Sequence, residues 1–287
     1  MGMRTSLASK VEVQKERFEF GKNWEQFLKV LDETRIVEAE KSLKKMLEME
    51  DLKNKRFLDV GSGSGLFSLA ARRLGARVHS FDFDPCSVAC TMELKKRYQP
   101  EDENWSVEQG NILDVNYLNS LGPFDIVYAW GVLHHTGNMW DALENVVPLV
   151  ADSGKLFISI YNDQGVLSLF WKALKKFYNQ SSKPVRLLLV LWVGASLEFA
   201  SVLVRMVRRQ NPLPFKYWAA KKKSRGMSVW HDLVDWVGGY PFEVAKPEQI
   251  FDFYQKKRFL LKRLKTCGPG LGCNEYVFVR ERQVEKS

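Results

Sequence analysis

Three glycines, Gly61, Gly63 and Gly65, stand at alternate positions directly after a short apolar run, Arg56 to Val60. Glycine at that spacing lets a chain turn sharply and bring its backbone against a ligand. An apolar helix is expected from there through Leu74, and its first turn offers free backbone N–H groups. Asp82 follows Gly61 by 21 residues, at the end of a second apolar run, Arg77 to Phe81. A carboxylate at a strand end can accept hydrogen bonds from both hydroxyls of a ribose. Asp84 could share that task, but the strand-end position favours Asp82. Asn111 closes a third run, Trp105 to Gln109, and offers a side-chain amide to a base edge, with Ile112 set to pack on the ring. Asp59 and Ser62 complete the stretch around the bend, and an acid there suits a ligand carrying an ammonium group better than a pyrophosphate. The glycines do not spell G-x-G-x-x-G, and no Gly-Lys-Ser/Thr follows, so nicotinamide and phosphate-loop readings are the weaker ones. A ligand-free tight turn explains the glycines by themselves. It does not explain glycines, acid and Asn-Ile in order at successive strand ends.

The reacting groups are less sharply marked. A fourth run, Phe124 to Ala129, leads into Trp130-Gly131-Val132-Leu133-His134-His135-Thr136. Neighbouring histidines face different ways, so one of the two is expected to act as a base; His135 is favoured, with His134 second. Either could instead bond the loop backbone. Trp130 reads equally as a wall for a bound base or as a core aromatic. Tyr161, ending a fifth run from Lys155, and Asn162 can line an acceptor pocket. His231 sits between Trp230 and Asp232, and a neighbouring carboxylate raises imidazole basicity. Adjacent helical residues do not face each other, however, and a solvated helix face explains the trio as well. No histidine–carboxylate spacing calls for a metal. Cys86, Cys90, Cys267 and Cys273, at C-x3-C and C-x5-C spacing, match no zinc pattern and read as free thiols.

These residues need a scaffold that lines up strand ends. Near-continuously apolar strands alternating with helices predict a doubly wound α/β fold, a parallel sheet covered on both faces. Helices are expected at 24–49, 86–98, 140–150, 227–236 and 247–256. The closing strands, Phe259 to Lys265 and Tyr276 to Arg280, form a hairpin across Gly268–Gly272. The chain opens without an apolar run, which predicts a cytoplasmic location.

The segments DVGSGSG, FDFDP, GNI and FDIVYAWGVLHH, within about residues 55–162, resemble the successive motifs of class I S-adenosylmethionine (SAM)-dependent methyltransferases. They are most similar to the branch of ubiquinone-type and other small-molecule methylases. The resemblance implies a mostly parallel seven-stranded sheet of order 3-2-1-4-5-7-6, and SAM as cofactor. It implies Asp59, Gly61, Gly63 and Gly65 at the methionine end, Asp82 and Phe83 at ribose and adenosine, and Asn111 and Ile112 at adenine. Many members carry Asp where this chain has Asn111; the amide keeps an acceptor and adds donors. The resemblance further implies that residues 1–50 form a helical lid, with Phe20 and Trp24 covering the cofactor, on a SAM-binding core at 51–162. Residues 163–246, a helical insertion, would cap the acceptor, and 247–287 would close the core.

Residues 163–225 hold thirteen Lys and Arg against two acids, net +11, while the remainder of the chain is −2. Within this span Leu187 to Val204 is apolar apart from Glu198, with Arg186 before it and Arg205, Arg208 and Arg209 after it. About 20 apolar residues are needed to span a bilayer, and a central acid is unfavourable. A membrane-surface segment at 185–209 and a buried helix of a substrate cap both fit. Either predicts an apolar or amphipathic small-molecule or lipid acceptor, with O- or S-methylation favoured. The basic span also admits an RNA methyltransferase, though no N-P-P-Y-type motif follows the fourth strand. A SAM-binding regulatory protein without catalysis is the third alternative.

Overall fold

The structure is a computed structural model that describes residues 18, 20–207, 209, 211, 229–268 and 272–282, apart from the side chains of residues 22, 229, 231 and 232. The chain divides into two units: Phe20–Ser168 with Phe242–Ser287, and Met1–Glu19 with Leu169–Pro241.

The first unit carries the seven-stranded sheet. Its strands are β1 (Arg56–Val60), β2 (Arg77–Asp82), β3 (Trp105–Gln109), β4 (Phe124–Trp130), β5 (Val150–Tyr161), β6 (Phe259–Lys265) and β7 (Cys273–Arg280). They lie in the order β3-β2-β1-β4-β5-β7-β6, as the resemblance implies. β1 to β5 are mutually parallel and β7 is antiparallel to both β5 and β6.

The period-two alternation of each strand decides which face a residue joins. Phe57, Ile126, Tyr128 and Phe157 pack with Leu43, Leu69 and Leu94 of the helices α2 (Glu33–Leu47), α3 (Leu66–Arg73) and α4 (Pro85–Tyr98). Leu58, Val127, Ala129 and Ile158 pack instead with Leu118, Leu143 and Ile250 of α5 (Val115–Leu121), α6 (Met139–Asn145) and α10 (Pro247–Gln255). Both faces are dry, and the near-continuous apolar character of these strands follows.

The helix expected at 24–49 is two helices, α1 (Gly21–Val30) and α2, because Asp32 caps the second: its carboxylate accepts from Arg35 N at 3.0 Å. The helix expected to reach Val150 ends at Asn145, and β5 begins at Val150. α5 was not anticipated; Asp114 caps it by accepting from Asn116 N and Tyr117 N.

The second unit is helical and includes α7 (Val166–Gln180) from Leu169 on, α8 (Lys183–Val207) and α9 (Val229–Gly238). Fully buried Lys175 donates to the Trp236 carbonyl, and Asn179 Nδ2 donates to Gly238 O at 2.6 Å. α7 thereby satisfies the last carbonyls of α9. The strand–insertion–strand order is that expected, with helices between β5 and β6. Pro212 and Pro214, expected to stop the long helix, lie outside the described residues.

Candidate functional site

Because β1 to β5 run in one direction, their carboxyl ends share one edge of the sheet. The register sets Val60 beside Phe81, Asp82 beside Gln109, and Trp130 beside Ser159. The residues singled out at strand ends are therefore brought together: the glycine bend, Asp82, Asn111, the Trp130–Thr136 loop and Tyr161.

The bend is built tightly. Gly61, Gly63 and Gly65 have φ of 76°, 56° and 78°, the left-handed region that costs other residues most. A Cβ on Gly61 would stand 2.5 Å from Val132 of the β4 loop, and one on Gly63 would stand 3.0 Å from the Trp24 indole. The Ser62 hydroxyl is turned to Thr91 Oγ1 of α4, at 2.9 Å, and Thr91 also donates to Gly63 O at 3.3 Å. Ser62, expected at the cofactor, spends its side chain on holding the bend to α4.

Asp82 Oδ2 accepts from Gly63 N at 2.9 Å and Oδ1 from Asp84 N at 2.9 Å. Asp84 instead caps α4 through Cys86 N and accepts from Gly21 N, each at 2.9 Å. Each acid thus accepts two backbone N–H bonds, Asp82 from the bend and from Asp84, and Asp84 from two helix starts. Phe83 is half-buried, and its carbonyl accepts from Gln109 Nε2 at 3.1 Å. Asn111 Oδ1 accepts from Leu113 N at 2.9 Å, which folds the loop after β3. Ile112 is buried in the core.

Asp59 is 2% exposed and faces the same side as Tyr128. Trp105 Nε1 donates to Ser80 Oγ at 2.9 Å, Ser80 and Ser68 share a bond at 2.7 Å, and Ser68 donates to the Asp59 carboxylate. Burial pushes the Asp59 carboxyl up to about 7, with Asp82 adding to the rise and the Ser68 bond opposing it. Its hydrogen bond is to Ser68 of α3, the helix that follows the bend.

At the other end of the edge, His134 and His135 lie in a 3-10 turn, Leu133–His135, and are 1% and 6% exposed. The His134 ring centroid is 4.2 Å from that of Tyr161, and His135 meets Tyr161 edge-on at 5.4 Å. Phe20 lies 5.0 Å from His135, and Phe242 lies 5.0 Å from Tyr161. The backbone carbonyl of His134 accepts from Glu243 N at 3.1 Å, and the Glu243 carboxylate accepts from Met139 N. Asn162 Oδ1 accepts from Asn274 Nδ2 at 3.0 Å, joining the end of β5 to β7. Trp130 is 42% exposed, so its role as a core aromatic falls away. His231 lies on α9, and its side chain is outside the described residues. Val132, Phe242 and Glu243 were not anticipated; the hydrophobic residue after the Gly-Gly-Tyr-Pro turn was the available signal for Phe242.

A doubly wound sheet in this order, with a glycine bend after its first strand and an acid ending its second, defines the class I SAM-dependent methyltransferase architecture. The chain belongs to the family described as "Methyltransferase domain", whose profile matches residues 31–231. Among curated proteins, it is 33% identical over 114 residues to a ubiquinone biosynthesis O-methyltransferase of Xanthomonas oryzae pv. oryzae, covering 39% of this chain and 45% of that one. It is 28% identical over 148 residues to a ribosomal protein L11 methyltransferase of Bacillus velezensis, covering 45% and 46%. The matches span less than half the length of these relatives. Among solved structures, magnesium protoporphyrin IX methyltransferase of Synechocystis PCC 6803, with bound SAH, superposes at a TM-score of 0.51 and 14% identity, covering 86% of this chain and 83% of that one. An O-methyltransferase family protein of Burkholderia thailandensis does so at 0.51 and 11%, covering 86% and 57%.

Proposed function

We propose that this chain transfers the methyl group of SAM to a small apolar or amphipathic acceptor, at oxygen or sulfur. The carrying observation is the 2.9 Å hydrogen bond from Gly63 N to Asp82 Oδ2. It ties together the two elements that would hold opposite ends of the methyl-donating nucleoside. The residues fit such a cofactor. The bend presents backbone without side chains at 61, 63 and 65. An ionised carboxylate has about four lone-pair sites, so the two N–H bonds to Asp82 leave room for ribose hydroxyls. Phe83, Ile112 and the Asn111 amide are the groups assigned to adenosine, with Trp130 as a wall.

When bound, the cofactor supplies an already activated sulfonium methyl. The chain's own tasks are to align the acceptor, exclude water and remove a proton from a hydroxyl or thiol. His135 is assigned as the base, because its nearly buried ring is enclosed by Phe20, His134 and Tyr161. His134 is the second choice, and His231 the third. Tyr161 and Asn162 are assigned to orient the acceptor, and Phe20 and Trp24 to close over the site.

The test is incubation with methyl-labelled SAM and fractionated cell extract, separating lipid, metabolite, RNA and protein pools. Label in the metabolite or lipid pool supports the acceptor assignment; label confined to RNA or protein overturns it. Asp82→Ala is expected to remove both labelling and the calorimetric response to SAM. A wild-type protein with no such response removes the cofactor reading itself.

A further inference from the structure

The helical unit carries an exposed apolar surface on α7 and α8, none of whose residues is assigned to methyl transfer. α8 is 25 residues long, about 37 Å at 1.5 Å per residue, and is apolar enough to cross a membrane, yet its most apolar stretch is only 11% buried. One side of it is packed: Val190 and Val193 are buried, and a Cβ on Gly194 would stand 2.6 Å from Leu233 of α9. Its single acid is on neither the open side nor alone. Glu198 is partly buried and pairs with Arg205 Nη2 at 2.5 Å. The open side recurs at helical spacing through Leu188, Trp192, Phe199 and Leu203, each 43% exposed or more. Among the described residues, no charged side chain interrupts that side between Leu187 and Val207.

The rim is basic. α7 exposes Leu169, Phe170 and Phe177 beside Lys172 and Lys176, and exposed Lys183 opens α8. Arg186 donates to the carbonyls of Tyr178, Asn179 and Ser181, which fixes the turn between α7 and α8. An apolar strip edged by lysines is complementary to one kind of partner: acyl chains below anionic headgroups. The packing of Val190, Val193 and Gly194 against other residues argues against a span, since a spanning helix would have to abandon it.

We propose that α7 and α8 dock this protein, as an interfacial rather than spanning element, on a membrane surface of anionic phospholipid. The docking is independent of the methyl-transfer reading. Full-length protein is floated with phosphatidylcholine vesicles, with and without 30% phosphatidylglycerol, an on the order of physiological anionic content. Flotation with the anionic vesicles, weakened by salt and released by alkaline carbonate, is the expected result. Trp192→Glu with Phe199→Glu should abolish flotation while the calorimetric response to SAM is unchanged, because both side chains are exposed. Lys172→Gln and Lys176→Gln should each weaken it about fivefold. Three results would overturn the proposal: retention in carbonate-washed membranes, which means a span; a stable dimer that the Trp192/Phe199 variant dissociates and that does not float, which means a second copy covers the strip; or binding to RNA with no flotation.

Discussion

Two carboxylates on neighbouring strands, with Asp59 in register two residues short of Asp82, point to the same face and are made different by depth. Asp82 is partly exposed and accepts two backbone N–H bonds at the edge, whereas Asp59 is buried and accepts from a hydroxyl. Because burial holds the folded pKa of Asp59 near 7, the folded protein keeps a proton that the unfolded chain has already lost. Its contribution to stability is complete below about pH 4 and falls as pH rises to about 7. Asp59→Asn removes that loss. The melting temperature of the variant minus that of the wild type should be more positive at pH 8 than at pH 5 by scanning calorimetry; an equal difference would mean that Asp59 is ionised throughout. His135 makes a separate prediction. His135→Gln should lower kcat about 10²- to 10⁴-fold, the range for loss of a general base. The affinity for SAM should change little, measured by calorimetry. A parallel loss of affinity would assign His135 to cofactor binding instead.

At the level of elements, the bend after β1 is held by a helix on one side and the β4 loop on the other. Gly61→Ala meets both a positive φ and the Val132 side chain at 2.5 Å. It should cost about 1–3 kcal/mol of stability and weaken SAM at least tenfold. Adding Val132→Ala relieves the collision but not the backbone strain, so denaturant melts should show partial recovery; full recovery would mean the conformation itself is free of cost. How much of this was legible in the sequence follows the same division. Glycines, strand-end acids and apolar runs are local signals, and they gave β1 to β5 and the edge those strands share. β7 begins three residues before its apolar run, because Cys273 to Glu275 owe their strand conformation to pairing with β5. α5 is seven residues of Asn, Ser and Tyr among two leucines and a valine, too short for a period to emerge. Trp24 against Gly63 and Phe242 against Tyr161 are meetings of distant segments, for which no spacing exists. The commitment of Ser62 to Thr91 and of Asp59 to Ser68 is equally tertiary.

Over the whole molecule, the charge of +9 and isoelectric point near 9.3 describe no part of it well. The segment 163–225 carries +11 and the remainder −2, so the excess positive charge belongs to one stretch of the sequence. Total charge and its location make opposite forecasts, and two triple variants of equal net charge separate them. Lys221→Gln, Lys222→Gln and Lys223→Gln together remove three charges from the basic stretch. Lys41→Gln, Lys53→Gln and Lys256→Gln remove three exposed ones from the nearly neutral remainder. If location governs, the first variant should bind anionic vesicles on the order of a hundredfold more weakly, at about fivefold per charge, and its affinity should depend less steeply on salt. The second should bind as the wild type does, since its three charges lie outside the basic stretch of the sequence. Equal weakening in the two, read from vesicle titrations across a salt series, would show that the protein responds to anionic surfaces through its overall charge.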